Sequence, residues 1–174
     1  NCPEKYRIAF SSAILRFIRN CDEVILSKLD LDYMISDWCL KILCENSDFL
    51  GKPTIRTISE IFSYIIFHLW DCNMDRKFQS VVKDQSTDSS EQRINTFCQL
   101  NIFKETVLAF SEGFNTFSKE KYNLKLGFCS LLDKIYRLTE CYIKETDDPD
   151  VIDIGLQVIF QCISYGKISF FNQN

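Results

Sequence analysis

The stretch Pro53-Thr54-Ile55-Arg56-Thr57-Ile58-Ser59-Glu60-Ile61-Phe62-Ser63-Tyr64-Ile65-Ile66-Phe67-His68-Leu69-Trp70 carries the strongest structural signal in the chain. Ile55, Ile58, Ile61, Phe62, Ile65, Ile66 and Leu69 recur at steps of three and four, the period of an α-helix. Phe67 and Trp70 widen that stripe until it can be satisfied only by burial on more than one side. The β-branched residues lower the intrinsic helix propensity here. Burial outweighs that, because packing supplies most of a helix's stability. A helix of this kind belongs to an all-α protein in which it lies inside.

The same spacing extends outward in both directions. On the N-terminal side a helix is expected from Pro3, a good first-turn residue, with the stripe Tyr6, Phe10, Ala13, Ile14 and Phe17 running on towards Cys21 and Val24. A second covers about Leu31 to Cys44, with Leu31, Met34, Ile35, Trp38 and Ile42 facing inward, and Gly51 and Pro53 mark the turn after it. On the C-terminal side a short piece around Phe78, Val81 and Val82 leads into the polar run 83–90, a candidate mobile loop and break between sub-bundles. Ser89 to Gln92 reads as a capping box for a helix carrying Ile94, Phe97, Leu100, Phe103, Val107 and Phe110, ended or bent at Gly113. Another opens at Asn123 with Leu124, Phe128, Leu131, Leu132, Ile135, Leu138 and Tyr142. Asp148-Pro149 starts the last, with the apolar stripe Val151, Ile154, Leu156, Val158, Ile159, Cys162 and Ile163 and with Gly166 as its cap. Beyond it, Phe170 and Phe171 are expected to fold back on the core or to bridge to a segment outside the chain. The reading is one all-α domain over residues 1–174, with about six main antiparallel helices.

Composition narrows the function. The 174 residues hold 5 Gly and 3 Pro, and the glycines stand singly, so no phosphate-cradling glycine loop exists. Apolar residues make up 46% and charged residues 25%, a globular balance, and 15 Phe, 7 Tyr and 2 Trp make the core aromatic. The net charge of -4 opposes non-specific nucleic-acid binding. The nine Cys are odd in number, lie within apolar runs and form no Cys-x-x-Cys pair, and no glycosylation sequon occurs. Both features suggest a reducing compartment, hence an intracellular protein of cytoplasm or nucleus, with the cysteines reduced. No uncharged run is long enough to span a bilayer, and no signal peptide stands at the start. The opening Asn-Cys-Pro, without an initiator Met, is what a piece of a larger protein would show.

No catalytic constellation stands out. His68 is the sole histidine and sits in an apolar helix, where a metal ligand or general base would need a partner at fixed spacing. Glu145, Asp147, Asp148, Asp150 and Asp153 lack the central Gly of a calcium loop and read as a dipole-stabilised helix start. Cys72 and Cys98 are the only thiols worth testing as nucleophiles. No enzyme activity, cofactor or metal is therefore expected. Lys119, Lys121, Lys125, Lys134 and Arg137, interleaved with Tyr122 and Tyr136, form the densest basic region. They are candidate protein-binding residues, as are Phe170 and Phe171, although a run of charge is more often a solvated face.

Asp148-Pro149-Asp150-Val151 followed by Leu156, Ile159 and Ile163-Ser164 resembles one helix of a HEAT or armadillo repeat, and Pro53, Ile55, Ile58, Ile61 and Leu69 are similar. The resemblance covers about 35 residues and implies stacked antiparallel helix pairs with a partner-binding surface. The function expected is a non-enzymatic protein–protein interaction (scaffold or adaptor) module, its partner a protein, a peptide or another subunit of a complex. The alternative is a Bcl-2-like regulator that binds amphipathic helices. The size and the central apolar helix suit that class, and its Asn-Trp-Gly-Arg signature is absent.

Overall fold

A computed structural model of the chain describes residues 3–21, 31–68, 72–82, 94–112 and 122–171, with backbone alone at 31–32, 72–74, 122–127, 130 and 166–171. The described residues form α1 (Glu4–Asn20), α2 (Leu31–Glu45), α3 (Lys52–His68), α4 (Cys72–Val81), α5 (Thr96–Glu112), α6 (Tyr122–Glu145) and α7 (Pro149–Phe171). A 3-10 turn, Ser47–Phe49, joins α2 to α3, and no strand occurs among the described residues. The all-α class holds. The polar run 83–90 and its Ser89–Gln92 capping box lie outside the described residues.

Two helix boundaries differ from the sequence expectation. α5 begins at Thr96 and not at Ser89: the Phe97 amide donates to Asn95 Oδ1 at 2.8 Å, so Asn95 supplies the capping oxygen. α7 runs through Gly166 to Phe171 and does not stop at a glycine cap, so 167–171 continues the helix rather than folding back. One glycine costs a helix about 1 kcal/mol relative to Ala, which a long packed helix absorbs. The start of α7 is as expected, with the Asp150 amide donating to Asp148 Oδ1 at 2.9 Å.

The helices form two layers. α1, α3, α5 and α7 stand side by side and run the same way. At one end Glu4 accepts from the Thr54 hydroxyl and Lys52 pairs with Asp150. Towards the other end Arg19 pairs with Glu60, Ser63 Oγ lies 2.8 Å from Thr106 Oγ1, and Phe67 meets Phe110 with ring centroids 5.2 Å apart. The second layer is α2, α4 and α6. Lys77 of α4 reaches Asp37 at 2.7 Å and Ser36 at 2.9 Å on α2, and Phe78 of α4 meets Phe128 of α6 at 6.1 Å. α2 is antiparallel to α3, and α6 to α7. Gly155 allows the second pairing, since a Cβ there would stand 2.7 Å from Ile143 Cγ1.

One apolar cluster runs from Leu15 and Ile18 of α1 to Cys162 and Tyr165 of α7. α3 and α5 form its centre and bury ten and nine residues respectively. An aromatic chain crosses it. Phe110 stacks on Phe128 at 3.8 Å with planes 7° apart, and Phe128 meets Tyr165 edge-on at 5.8 Å. Several polar core groups are held by hydrogen bonds, while Ser59 Oγ is buried without one. Gln99 donates to the Val81 carbonyl at 2.5 Å and accepts from the Tyr142 hydroxyl at 2.8 Å, while Thr139 donates to the Ile135 carbonyl at 2.7 Å.

Candidate functional site

The largest departure from the sequence expectation is in α1. Its strongest apolar stripe was expected to face inward, yet Tyr6, Phe10 and Phe17 are 57%, 61% and 54% exposed. Ala13 is exposed with them. The buried face is Ser11, Leu15 and Ile18. Ser11 can go inside because its hydroxyl is satisfied locally by the Arg7 carbonyl at 2.8 Å. α2 is rotated in the same sense. Met34 is 65% exposed, and the buried positions are Ser36, Cys39 and Leu43.

This rotation builds an aromatic surface. Phe10 meets Trp38 edge-on at 6.3 Å. Between α1, α2 and the start of α3 lies a groove of about 410 Å³, lined by Phe10, Trp38, Ile42, Phe49, Leu50 and Ile58 among others. Phe49, at its mouth, is 75% exposed. Arg7 fixes one wall by donating to the Phe49 carbonyl, and it lies 3.8 Å from Glu4. The Thr54 hydroxyl, which donates to Glu4, holds that carboxyl below the ordinary range, with the Gly51 amide and Arg7 acting in the same direction. The flank of α1 is basic: Lys5 and Arg16 are exposed, and the Lys5 ammonium sits 5.0 Å from the Tyr6 ring centre.

A second apolar stripe faces solvent at the other end of the row. Leu156, Phe160 and Ile163 of α7 are 55%, 68% and 47% exposed. They lie opposite the buried face formed by Val151, Ile154, Val158, Cys162 and Tyr165. Isolated exposed apolar residues are ordinary, whereas contiguous apolar patches are the kind of surface through which proteins dock.

The residues singled out from sequence are described only in part. Lys119 and Lys121 lie outside the described residues. Lys125 falls on α6, and Phe170 and Phe171 on α7, where only the backbone is described. Lys134 and Arg137 are exposed on α6, and Arg137 pairs with Asp133 at 2.9 Å. Sequence reasoning put Phe10, Leu156 and Ile163 in inward stripes and passed over Phe49 and Phe160 as surface residues, while Trp38, expected inward, is half-buried against the core. The available signal was the Lys and Arg residues interleaved with the aromatics of α1 and, on α7, Gln157 and Gln161 beside Leu156 and Phe160.

Chemistry is sparse elsewhere. The described thiols of Cys21, Cys39, Cys44, Cys98, Cys129, Cys141 and Cys162 are free. Burial pushes Cys98 and Cys162 up to about 12 and raises Cys39 further, so these three are packing residues rather than nucleophiles. Cys72 is described by its backbone alone. A cleft of about 350 Å³ between α1, α3 and α5 is lined by Arg19, Glu60, Tyr64, His68, Glu105 and Glu112 among others. Burial raises the Glu105 carboxyl above its ordinary value, against the opposing pull of Lys104 at 3.4 Å. His68 packs on Tyr64, ring centres 4.1 Å apart. Among the described residues, no group of three or more His, Cys, Asp or Glu is placed to hold a metal. Nor is any described helix long and apolar enough to cross a membrane. No protein-family model, curated protein or solved structure matches the chain.

Proposed function

We propose that this chain is a non-enzymatic protein-interaction module of an intracellular scaffold, and that its aromatic α1–α2 face holds an amphipathic helix of a partner protein. The observation that carries this reading is the outward turn of Tyr6, Phe10 and Phe17 beside a groove walled by Trp38, Ile42 and Phe49. An amphipathic helix docks by laying side chains at i, i+3, i+4 and i+7 into such a groove. The basic flank of α1 selects a partner helix with acidic residues beside its apolar stripe. Lys134 and Arg137 on α6 offer a separate polar contact of the same sign.

Relationship to the HEAT and armadillo repeats is part of the same proposal. The same-direction row α1, α3, α5 and α7, backed by α2, α4 and α6, supports stacked helix pairs. The Bcl-2-like alternative shares the groove-and-helix mode of binding. The side-by-side row favours the stacked reading, because stacking leaves both ends of the row open.

The test is photo-crosslinking from position 10, with position 133 on α6 as control. Crosslinks to a protein from position 10 alone, lost on Phe49→Glu, are expected. The reading falls if position 10 yields no more than the control. It falls equally if the purified chain turns over a substrate and one point substitution removes that activity.

A further inference from the structure

The two open ends of the row have matching properties. The α1 stripe is Tyr6, Phe10, Ala13 and Phe17, at steps of four, three and four. The α7 stripe is Leu156, Phe160 and Ile163, at steps of four and three. At 1.5 Å per residue these ridges extend about 16 Å and 10 Å, so the shorter can lie along the longer. Their charges are opposite. α1 carries Lys5, Arg7, Arg16 and Arg19 against the single acid Glu4, whereas the start of α7 is flanked by exposed Asp147, Asp148, Asp150 and Asp153. Because α1 and α7 run in the same direction, Lys5 and Arg7 stand at the same helix end as these carboxylates, while Arg16 and Arg19 stand at the other; Arg7, Arg19 and Asp150 already pair within the molecule, which leaves Lys5 facing Asp147 and Asp153 as the opposed charges. With α1 of a second copy laid parallel to α7 and Lys5 set beside Asp153, Phe10 falls in register between Leu156 and Phe160. Within the molecule a Lys–Asp pair of the same kind joins the starts of α3 and α7, where Lys52 meets Asp150.

We infer that a second copy of this chain covers the α1 face: the α7 stripe of one copy stacks on the α1 stripe of the next, head to tail, extending the row of helices. This rests on the proposed reading of α1 as a helix-binding face and names the helix it takes. The contact joins two different surfaces, so it does not close on itself as a two-fold dimer does, and it propagates into rings or chains.

The experiment is sedimentation of the purified chain across a concentration series, with two single variants and their mixture. The unmodified chain grows beyond a dimer as concentration rises, and added salt weakens the growth by screening the rim charges. Phe10→Glu and Phe160→Glu change solvent-facing residues, so each keeps the helical circular-dichroism spectrum and melting temperature. Each alone is a monomer, with association weakened on the order of 30-fold or more. Mixed one to one, they form a dimer that stops there, since one intact end of each kind remains. Lys5→Glu weakens association, and adding Asp153→Lys in the same chain restores it.

A chain that stays monomeric up to about 0.1 mM overturns the inference. So does a Phe160→Glu variant that still dimerises, which would reveal a two-fold contact through α1. If the chain is monomeric and position 10 still crosslinks to another protein, only the self-stacking fails. If it is monomeric and position 10 crosslinks to nothing, the helix-binding reading fails with it.

Discussion

α3 and α1 have the same length, 17 residues each, yet α3 buries ten residues and α1 three. Both were read from the same kind of apolar periodicity. In α3 the stripe is wide enough that every orientation buries most of it. In α1 the apolar residues divide into two groups, Leu15 with Ile18 and Tyr6 with Phe10 and Phe17, and only one can face α3. The aliphatic group goes inside with Ser11, and the aromatic group is left for another surface. The inner helices therefore hold the fold together, and the outer ones offer it for contact.

The sharpest test of that division is Phe103→Ala, in the fully buried part of α5. It is expected to cost about 3–5 kcal/mol of stability, read by denaturant unfolding. Phe10→Ala, a similar truncation on α1, is expected to cost less than about 1 kcal/mol in the same unfolding measurement. Equal losses at the two positions would break the comparison.

Thiol labelling makes the same distinction without mutation. Among the described thiols, exposed Cys141 is expected to react first under native conditions, and buried Cys39, Cys98 and Cys162 only on unfolding. Fast native labelling of Cys98 would mean that α5 is not interior.

A subtler test is Glu105. The native protein binds this carboxyl's proton more tightly than the unfolded chain does, because the native value is raised. The resulting stabilisation is full below the ordinary carboxylate range and is lost as pH rises through the raised value. Glu105→Gln is therefore expected to raise Tm near neutral pH by about 2 °C, with the gain fading in acid. A gain that grows in acid would contradict the sign. The smallest effect is expected from Lys134→Glu with Arg137→Glu on the solvated face of α6: a stability change within about 0.5 kcal/mol, and altered binding only for an acidic partner.

The helices were legible because a period of 3.6 survives almost any solvent exposure. Faces were legible only where hydrophobicity was lopsided. Thus α3 and α5 were oriented correctly by Ile58 and Phe103, and α7 in part by Val158 though not by Leu156 and Ile163, which face solvent; α1 and α2 were not. A scale that ranks Phe10 above Ser11 cannot register that Ser11 satisfies its own hydroxyl one turn back. The buried pair Ser63 and Thr106 was invisible for the same reason, since its partners lie 43 positions apart. At the candidate site, sequence identified exposed charge such as Lys134 and missed exposed aromatics. Exposure of a charge is intrinsic to the residue, but exposure of a ring depends on which neighbour claims the other side of the helix.

The stacked rings of Phe110 and Phe128 carry a further consequence. With 3.8 Å between their centres and other aromatics at their edges, neither has room to rotate in place. A half-turn of either ring requires the surrounding helices to part briefly, as in any close-packed interior. The flip rate of these two side chains, measured from the line shapes of their ring protons, would therefore serve as an internal clock for the breathing of the molecule.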